Sequence, residues 1–160
     1  MVEQGLVIYR TQVLPEWIDF NGHLRDAYYV LVASCAADAL MDHLGMDAAY
    51  RQRTHCTLYT LEMHVHYFHE VLQTDLLEVT VRIIAVDEKR IHAGFDLNCA
   101  RYSEPAASVE LMLLHVEQGE KVAARPFPTE VARALDTLRA ATADVAPARP
   151  GSRKIELRVR

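Results

Sequence analysis

The sequence is short of positive charge: 17 Lys and Arg stand against 22 Asp and Glu, a formal net charge of -5. That balance excludes a domain that grips nucleic acid through overall electrostatics, which needs basic side chains gathered on one face. A local basic patch is not excluded. Cysteine is scarce too. Cys35, Cys56 and Cys99 are odd in number and widely spaced, so they form neither a disulfide framework nor a CxxC metal pattern, and a reducing compartment is expected. No long hydrophobic run occurs: the most apolar stretch, Ala27 to Ala37, ends at Asp38 and is too short to cross a bilayer. Met1 to Arg10 lacks the basic segment and apolar stretch of a secretory signal, so a cytoplasmic location, with no membrane and no nucleic acid as partner, is the expectation. Repeats, low-complexity tracts and dividing linkers are absent, and Gly and Pro number only six each. The 160 residues are enough for one core that buries about 70% of the unfolded surface.

What is present reads as an α+β pattern. Gly5 to Val13 is rich in β-branched residues and places Val7, Tyr9, Thr11 and Val13 on one face of an opening strand ended by Pro15. From about Asp26 to Leu44, Tyr29, Ala33, Ala36, Leu40 and Leu44 recur at helical spacing, and Gly45 supplies the stop. This helix is apolar on nearly every side, so other structure is expected to surround it. Strand-like segments follow at about Thr57 to Tyr67, Leu76 to Val86, Ile91 to Ala100, Val109 to Val116 and Lys121 to Arg125. The turns between them, Asp87-Glu88-Lys89-Arg90, Ser103-Glu104-Pro105 and Gln118-Gly119, are of hairpin length and predict an antiparallel sheet. Alternation in Leu77, Val79, Val81, Ile83 and Ala85, and in Ile91, Ala93, Phe95, Leu97 and Cys99, predicts one buried and one more exposed face. Thr129 with Glu130, Val131, Ala134, Leu135 and Leu138 predicts a C-terminal helix capped by Thr129. Residues 1–142 are expected to form the domain and 143–160 a loose basic tail.

The residues that suggest chemistry stand just before the long helix: Asp19-Phe20-Asn21-Gly22-His23. Asp, Asn and Gly are also common turn residues, so the five alone read equally as turn chemistry. A carboxylate beside a helix start is nevertheless one half of a site for acyl transfer. Amides of the first helical turn, around Arg25 to Ala27, have no partners within the helix and carry its positive dipole end, so they can meet the charge that develops on a carbonyl oxygen.

Spacing and element order resemble the hotdog thioesterases of the 4-hydroxybenzoyl-CoA thioesterase-like group, in which an Asp lies three residues before a Gly-His pair and an aromatic opens the central helix. Asp19, Gly22, His23 and Tyr29 stand at those positions. The resemblance spans roughly residues 5 to 128, and Val13 to Asp47 is most similar to thioesterases of carnitine breakdown. It implies a hotdog fold, a curved antiparallel sheet wrapped around the long helix, and an acyl-CoA substrate, betainyl-CoA on the narrower likeness. It also implies a homodimer or dimer of dimers, with no cofactor. Carried over by position, Asp19 attacks or activates water, the backbone N–H of Asp26 polarises the carbonyl, and His23 orients the loop or a water. Asn21, Gly22 and Tyr29 shape the pocket. Arg25-Asp26 departs from the Asn-Asn of many relatives.

Further candidates come from residue type. Trp17, Tyr28, Tyr59, Tyr67 and Phe68 offer ring faces to a trimethylammonium group, and Asp26 or Glu62 offers a negative charge. Strand alternation puts Glu62, His64 and His66 on one face with His69 close by, a set that suits a half-exposed or interface face, or the wall of a pocket made with a second subunit, better than a metal, for which further ligands are wanting. Lys89, Arg90 and Arg101 are candidate partners for CoA phosphates, or solvated turn charges. Two other functions fit the same outline: a non-catalytic acyl-CoA sensor, and an enoyl-CoA hydratase. The hydratases pair their Asp with a His five residues on, where this chain has Leu24.

Overall fold

The computed structural model describes residues 5–145; of the expected basic tail, 146–160 lie outside the described residues. Helix α1, Asp26–His43, is the centre of the architecture. Tyr29, Val32, Ala33, Ala36, Leu40 and Met41 recur every three or four residues and are buried, as the periodicity predicts. Gly45, at φ 81°, ends the helix in a conformation open to glycine, and the Met46 amide bonds back to the Met41 carbonyl at 2.8 Å. A second helix, α2, Ala48–Thr54, is capped by the Asp47 carboxylate, which accepts from the Tyr50 amide. It has no counterpart in the sequence reading, because seven residues give the 3.6-residue period too few repeats to declare itself.

Around α1 curls a six-stranded antiparallel sheet in the order β1-β3-β4-β5-β2, with β6 beside β5. The strands are β1 Leu6–Gln12, β2 Cys56–Tyr67, β3 Leu76–Val86, β4 Arg90–Asn98, β5 Ala107–Glu117 and β6 Ala123–Ala124. Turn chemistry holds the β3–β4 hairpin in register: Asp87 Oδ1 accepts from the amides of Lys89 and Arg90. Helix α3, Thr129–Ala141, packs Val131, Leu135 and Leu138 into the core. This is the hotdog fold.

Four expectations need correction. The last strand contracts from Lys121–Arg125 to Ala123–Ala124, since only Val116 and Glu117 of β5 pair with it. Thr129 is not the cap of α3; Pro128 occupies that position and no side chain caps the amides. The alternation of β1 breaks at a bulge between Val7 and Tyr9, which lets Ile8 as well as Tyr9 pack on the core. Finally, β4 is buried on both faces rather than one. On the outer face His92, 5% exposed, meets Glu110 at 2.6 Å, and Arg82 lies over Gly94, where a Cβ would stand 2.6 Å from Nη2 of that guanidinium. Glycine therefore makes room for a charged side chain to cover the sheet.

The sheet does not enclose α1 completely. Leu31, 42% exposed, and Val30 face outward, and β2 is the edge strand beside them. Tyr67 of β2 donates to the Asp26 carbonyl at the helix start, and Thr57 contacts Met41 near its end, so β2 runs the length of α1.

Candidate active site

The loop before α1 builds itself from local chemistry. Asp19 Oδ1 accepts from the amides of Asn21, at 2.8 Å, and His23, at 3.1 Å. The Gly22 amide bonds the Asp19 carbonyl, and the Asp19 amide bonds the His23 carbonyl at 2.8 Å. Gly22, at φ 81°, supplies the left-handed conformation that returns the chain. So turn chemistry and a reactive carboxylate are not alternatives: the same aspartate makes the turn through one oxygen and leaves the other outside the loop's backbone bonds. The His23 amide, followed by the amide and side chain of Asn21, holds the Asp19 carboxyl below the usual range against opposing desolvation, so the group is a carboxylate at neutral pH.

The loop is anchored to the segment after β2 and to the residues just before it. Leu24 donates to the Val71 carbonyl at 2.7 Å, Arg25 donates to the Trp17 carbonyl at 2.9 Å, and His23 bridges to Leu72. At the start of α1, the Asp26 carboxylate accepts from the Ala27 amide at 2.9 Å, and the Tyr28 amide bonds the Arg25 carbonyl. The Asp26 amide has no hydrogen-bond partner among the described residues, and as the first helical residue it has no i−4 carbonyl to meet. One N–H at the positive end of the helix is thus left to a ligand.

Loop, helix start and the segment after β2 enclose an open cavity of about 590 Å³. Asp19, His23, Asp26, Tyr29, Tyr67 and Phe68, six of the expected residues, line it together with His69 of the histidine set and with Phe20, Leu24, Arg25 and Glu70. Tyr29 is fixed by its hydroxyl, which donates to the His69 carbonyl, and by edge-to-face packing on Tyr67, with ring centroids 5.2 Å apart. Burial pushes its phenol up to about 12, so it remains a neutral donor.

Other expected residues go elsewhere. Trp17 and Tyr28 stack on each other, centroids 5.4 Å apart, and neither lines the cavity. Asn21 and Gly22 shape the loop without facing the cavity. Glu62 pairs with His64 at 3.0 Å, and neither reaches the cavity within one chain. A bulge at Leu61 separates them from the preceding register, and β2 turns toward the helix start only at Tyr67. The three histidines diverge: His66 stacks near Phe68, and His69 stacks on Tyr102 at 4.3 Å. Tyr59 accepts from Gln118. The cations Lys89, Arg90 and Arg101 are committed to Glu88, Asp87 and Asp75. Phe20 and Glu70 were missed as site residues. Phe20 sat inside the motif and its exposure was the only possible signal; Glu70 had none, because it reaches the site through pairing with a loop 47 residues earlier, as the His23–Leu72 and Leu24–Val71 contacts place it.

The profile of the thioesterase-like superfamily matches residues 13–135. The chain belongs to that family. It is 43% identical over 138 residues to a betainyl-CoA thioesterase of Pseudomonas aeruginosa, the match covering 86% of each protein. A bifunctional L-carnitine dehydrogenase/betainyl-CoA thioesterase of Agrobacterium fabrum is 35% identical over 151 residues, which are 92% of this chain and 30% of that larger protein. A solved Pseudomonas putida protein assigned as a thioesterase superposes with a TM-score of 0.82 at 37% identity, covering 97% of this chain and 98% of the other. As a member of the thioesterase-like superfamily the chain is a thioester hydrolase. Among the described residues no helix is long and apolar enough to cross a membrane.

Proposed function

We propose that the chain hydrolyses betainyl-CoA to betaine and CoA, with Asp19 as the reacting carboxylate and the Asp26 N–H as the donor to the thioester carbonyl. The observation that carries the mechanism is the pairing of an ionised, loop-held Asp19 with an unpartnered amide at the start of α1, both on one cavity. The carbonyl oxygen accepts from Asp26 N–H, so negative charge develops at the positive end of the helix. Either Asp19 takes a proton from the water that attacks the carbonyl carbon, or Asp19 itself attacks and water afterwards hydrolyses the acyl-Asp19 anhydride to release the acid. The C–S bond then breaks, and the leaving thiolate is protonated to CoA. His23 lies in the same loop, where it orients the water.

The betainyl group is supported by the names of the similar proteins and by the cavity's charge. Asp19, Asp26 and Glu70 outnumber Arg25 there, which suits a cationic acyl group. A thiol-release assay over a panel of acyl-CoA thioesters tests the reading: kcat/KM should be highest for betainyl-CoA. Equal values for betainyl-CoA and butyryl-CoA would remove the cationic substrate, and tight binding without turnover of any thioester would favour a sensor.

The protein works as a homodimer in this reading. Val30 and Leu31 on α1 and Tyr59 and Leu61 on the edge strand β2 are exposed apolar side chains, and both an unpaired edge and exposed apolar side chains call for a covering surface. A second copy covers both symmetrically. Leu31→Glu with Leu61→Glu should lower the mass seen by sedimentation from two chains to one; an unchanged mass would place the interface elsewhere.

A further inference from the structure

One carboxylate of the cavity has no task in the chemistry above. Glu70 lines the site, yet its side chain has no hydrogen bond or ion pair among the described residues. Its backbone, by contrast, is closely held. Tyr102 donates to the Glu70 carbonyl at 3.1 Å, Tyr29 donates to the carbonyl of His69, and Leu24 bonds the carbonyl of Val71. His69 is clamped against Tyr102 by ring stacking. A free charge on a fixed backbone is therefore held beside the helix start.

Phe20 is the second unassigned group. Its ring is 93% exposed, it lines the same cavity, and it follows Asp19 directly, so the turn that holds the carboxylate also sets where the ring leaves the backbone.

Uncompensated carboxylates next to an oxyanion donor work against hydrolysis of a neutral acyl group, because they repel the charge that forms on the carbonyl oxygen. A positive charge on the acyl group reverses the sign of that interaction. In a betainyl thioester a single methylene separates the carbonyl carbon from the quaternary nitrogen, roughly 2.5 Å away. The cation thus lies inside this cavity whenever the carbonyl meets the Asp26 amide.

We propose that Glu70 supplies the counter-charge, and Phe20 the ring face, of a subsite that selects a quaternary ammonium on the acyl group. Specificity then comes from the loop after β2 and the tip of the catalytic turn, and not from the Trp17–Tyr28 stack or from Glu62. The inference rests on the cationic-substrate reading above.

The test compares betainyl-CoA with 3,3-dimethylbutyryl-CoA, its neutral isostere in which carbon replaces the charged nitrogen. Glu70→Gln should lower the ratio of kcat/KM values by about three- to tenfold, through a fall for betainyl-CoA and a level or raised value for the isostere, and Glu70→Asp should recover part of the loss. Added salt should lower the ratio for the natural protein and less so for Glu70→Gln. Phe20→Leu should lower the ratio by about two- to fivefold, whereas Phe20→Trp should keep it. Equal loss on both substrates would make Glu70 a shaping residue and overturn the proposal, as would an unchanged ratio. If the natural protein already treats the two substrates alike, the cationic-substrate reading itself has failed; if it discriminates and Glu70→Gln still does so equally, only the subsite assignment has failed.

Discussion

Replacing Asp26 by Asn isolates the charge at the helix start. Asn keeps an oxygen that can accept from the Ala27 amide, the bond the carboxylate makes at 2.9 Å, and it keeps the backbone N–H that meets the carbonyl. Only the negative charge goes. Both the developing oxyanion and the cation of a betainyl group then lie within roughly 6 Å of that charge, and at an effective dielectric between about 20 and 80 each interaction is worth about 0.7 to 3 kcal/mol. Residue 26 is exposed, so solvent screening favours the lower half of that range. For the neutral 3,3-dimethylbutyryl-CoA the carboxylate only opposes the oxyanion, and Asp26→Asn should raise kcat/KM by about three- to tenfold. For betainyl-CoA the lost attraction to the cation offsets that gain, and kcat/KM should stay level or fall. Thiol release measured on both substrates at low salt reads the two effects separately. A fall of equal size on both substrates would refute the reasoning, since it would mean that the substitution damaged the helix start and not the field.

Asp19→Asn should lower kcat by about 10² to 10⁴ with little change in KM, because the amide oxygen can still hold the loop while the base or nucleophile is gone; full activity would remove Asp19 from the mechanism. The pH profile should have its Asp19 limb below pH 3.8, the ordinary value. The active form is the carboxylate and its folded value is lowered, so activity is retained down to that range and lost as pH falls through it; a limb centred above pH 5 would assign the ionisation to another group. Away from the site, Tyr50→Phe should cost about 1 to 3 kcal/mol. His115 bonds the Arg125 carbonyl through Nδ1 at 2.8 Å and meets the Tyr50 hydroxyl through Nε2 at 2.9 Å. The buried Nε2 is therefore an acceptor that would lose its donor. A fall in Tm of about 2 to 12 °C by calorimetry is expected for a chain of this size, and an unchanged Tm would mean that a water replaces the hydroxyl.

The long helix, the antiparallel strands and the turn at Asp19 were legible because each is written in neighbouring residues. The period of Tyr29, Ala33, Ala36 and Leu40 marks a buried face, Asp87 to Arg90 marks a hairpin, and Asp19 to His23 marks a turn just ahead of a helix start. Short or nonperiodic features were not legible. Helix α2 lacks the length to show a period, and the double-sided burial of β4 depends on Arg82 reaching over Gly94 from another strand.

The sequence by itself determined the folding class, the carboxylate in the turn and the stretch Arg25 to Ala27 where a free amide is to be sought, since local hydrogen bonding and hydrophobic periodicity act over a few residues; the structure showed that the Arg25 and Ala27 amides are taken and that of Asp26 is left. Tertiary structure alone decided which polar and aromatic side chains share the cavity. Within one chain it leaves Trp17, Tyr28, Glu62 and His64 outside the cavity, their side chains used by near neighbours or by an outward-facing stretch of strand, and it brings in Phe20 and Glu70. The reason is the bridge between His23 and Leu72: strand pairing joins segments far apart along the chain, and nothing in the residue types at either end specifies the partner.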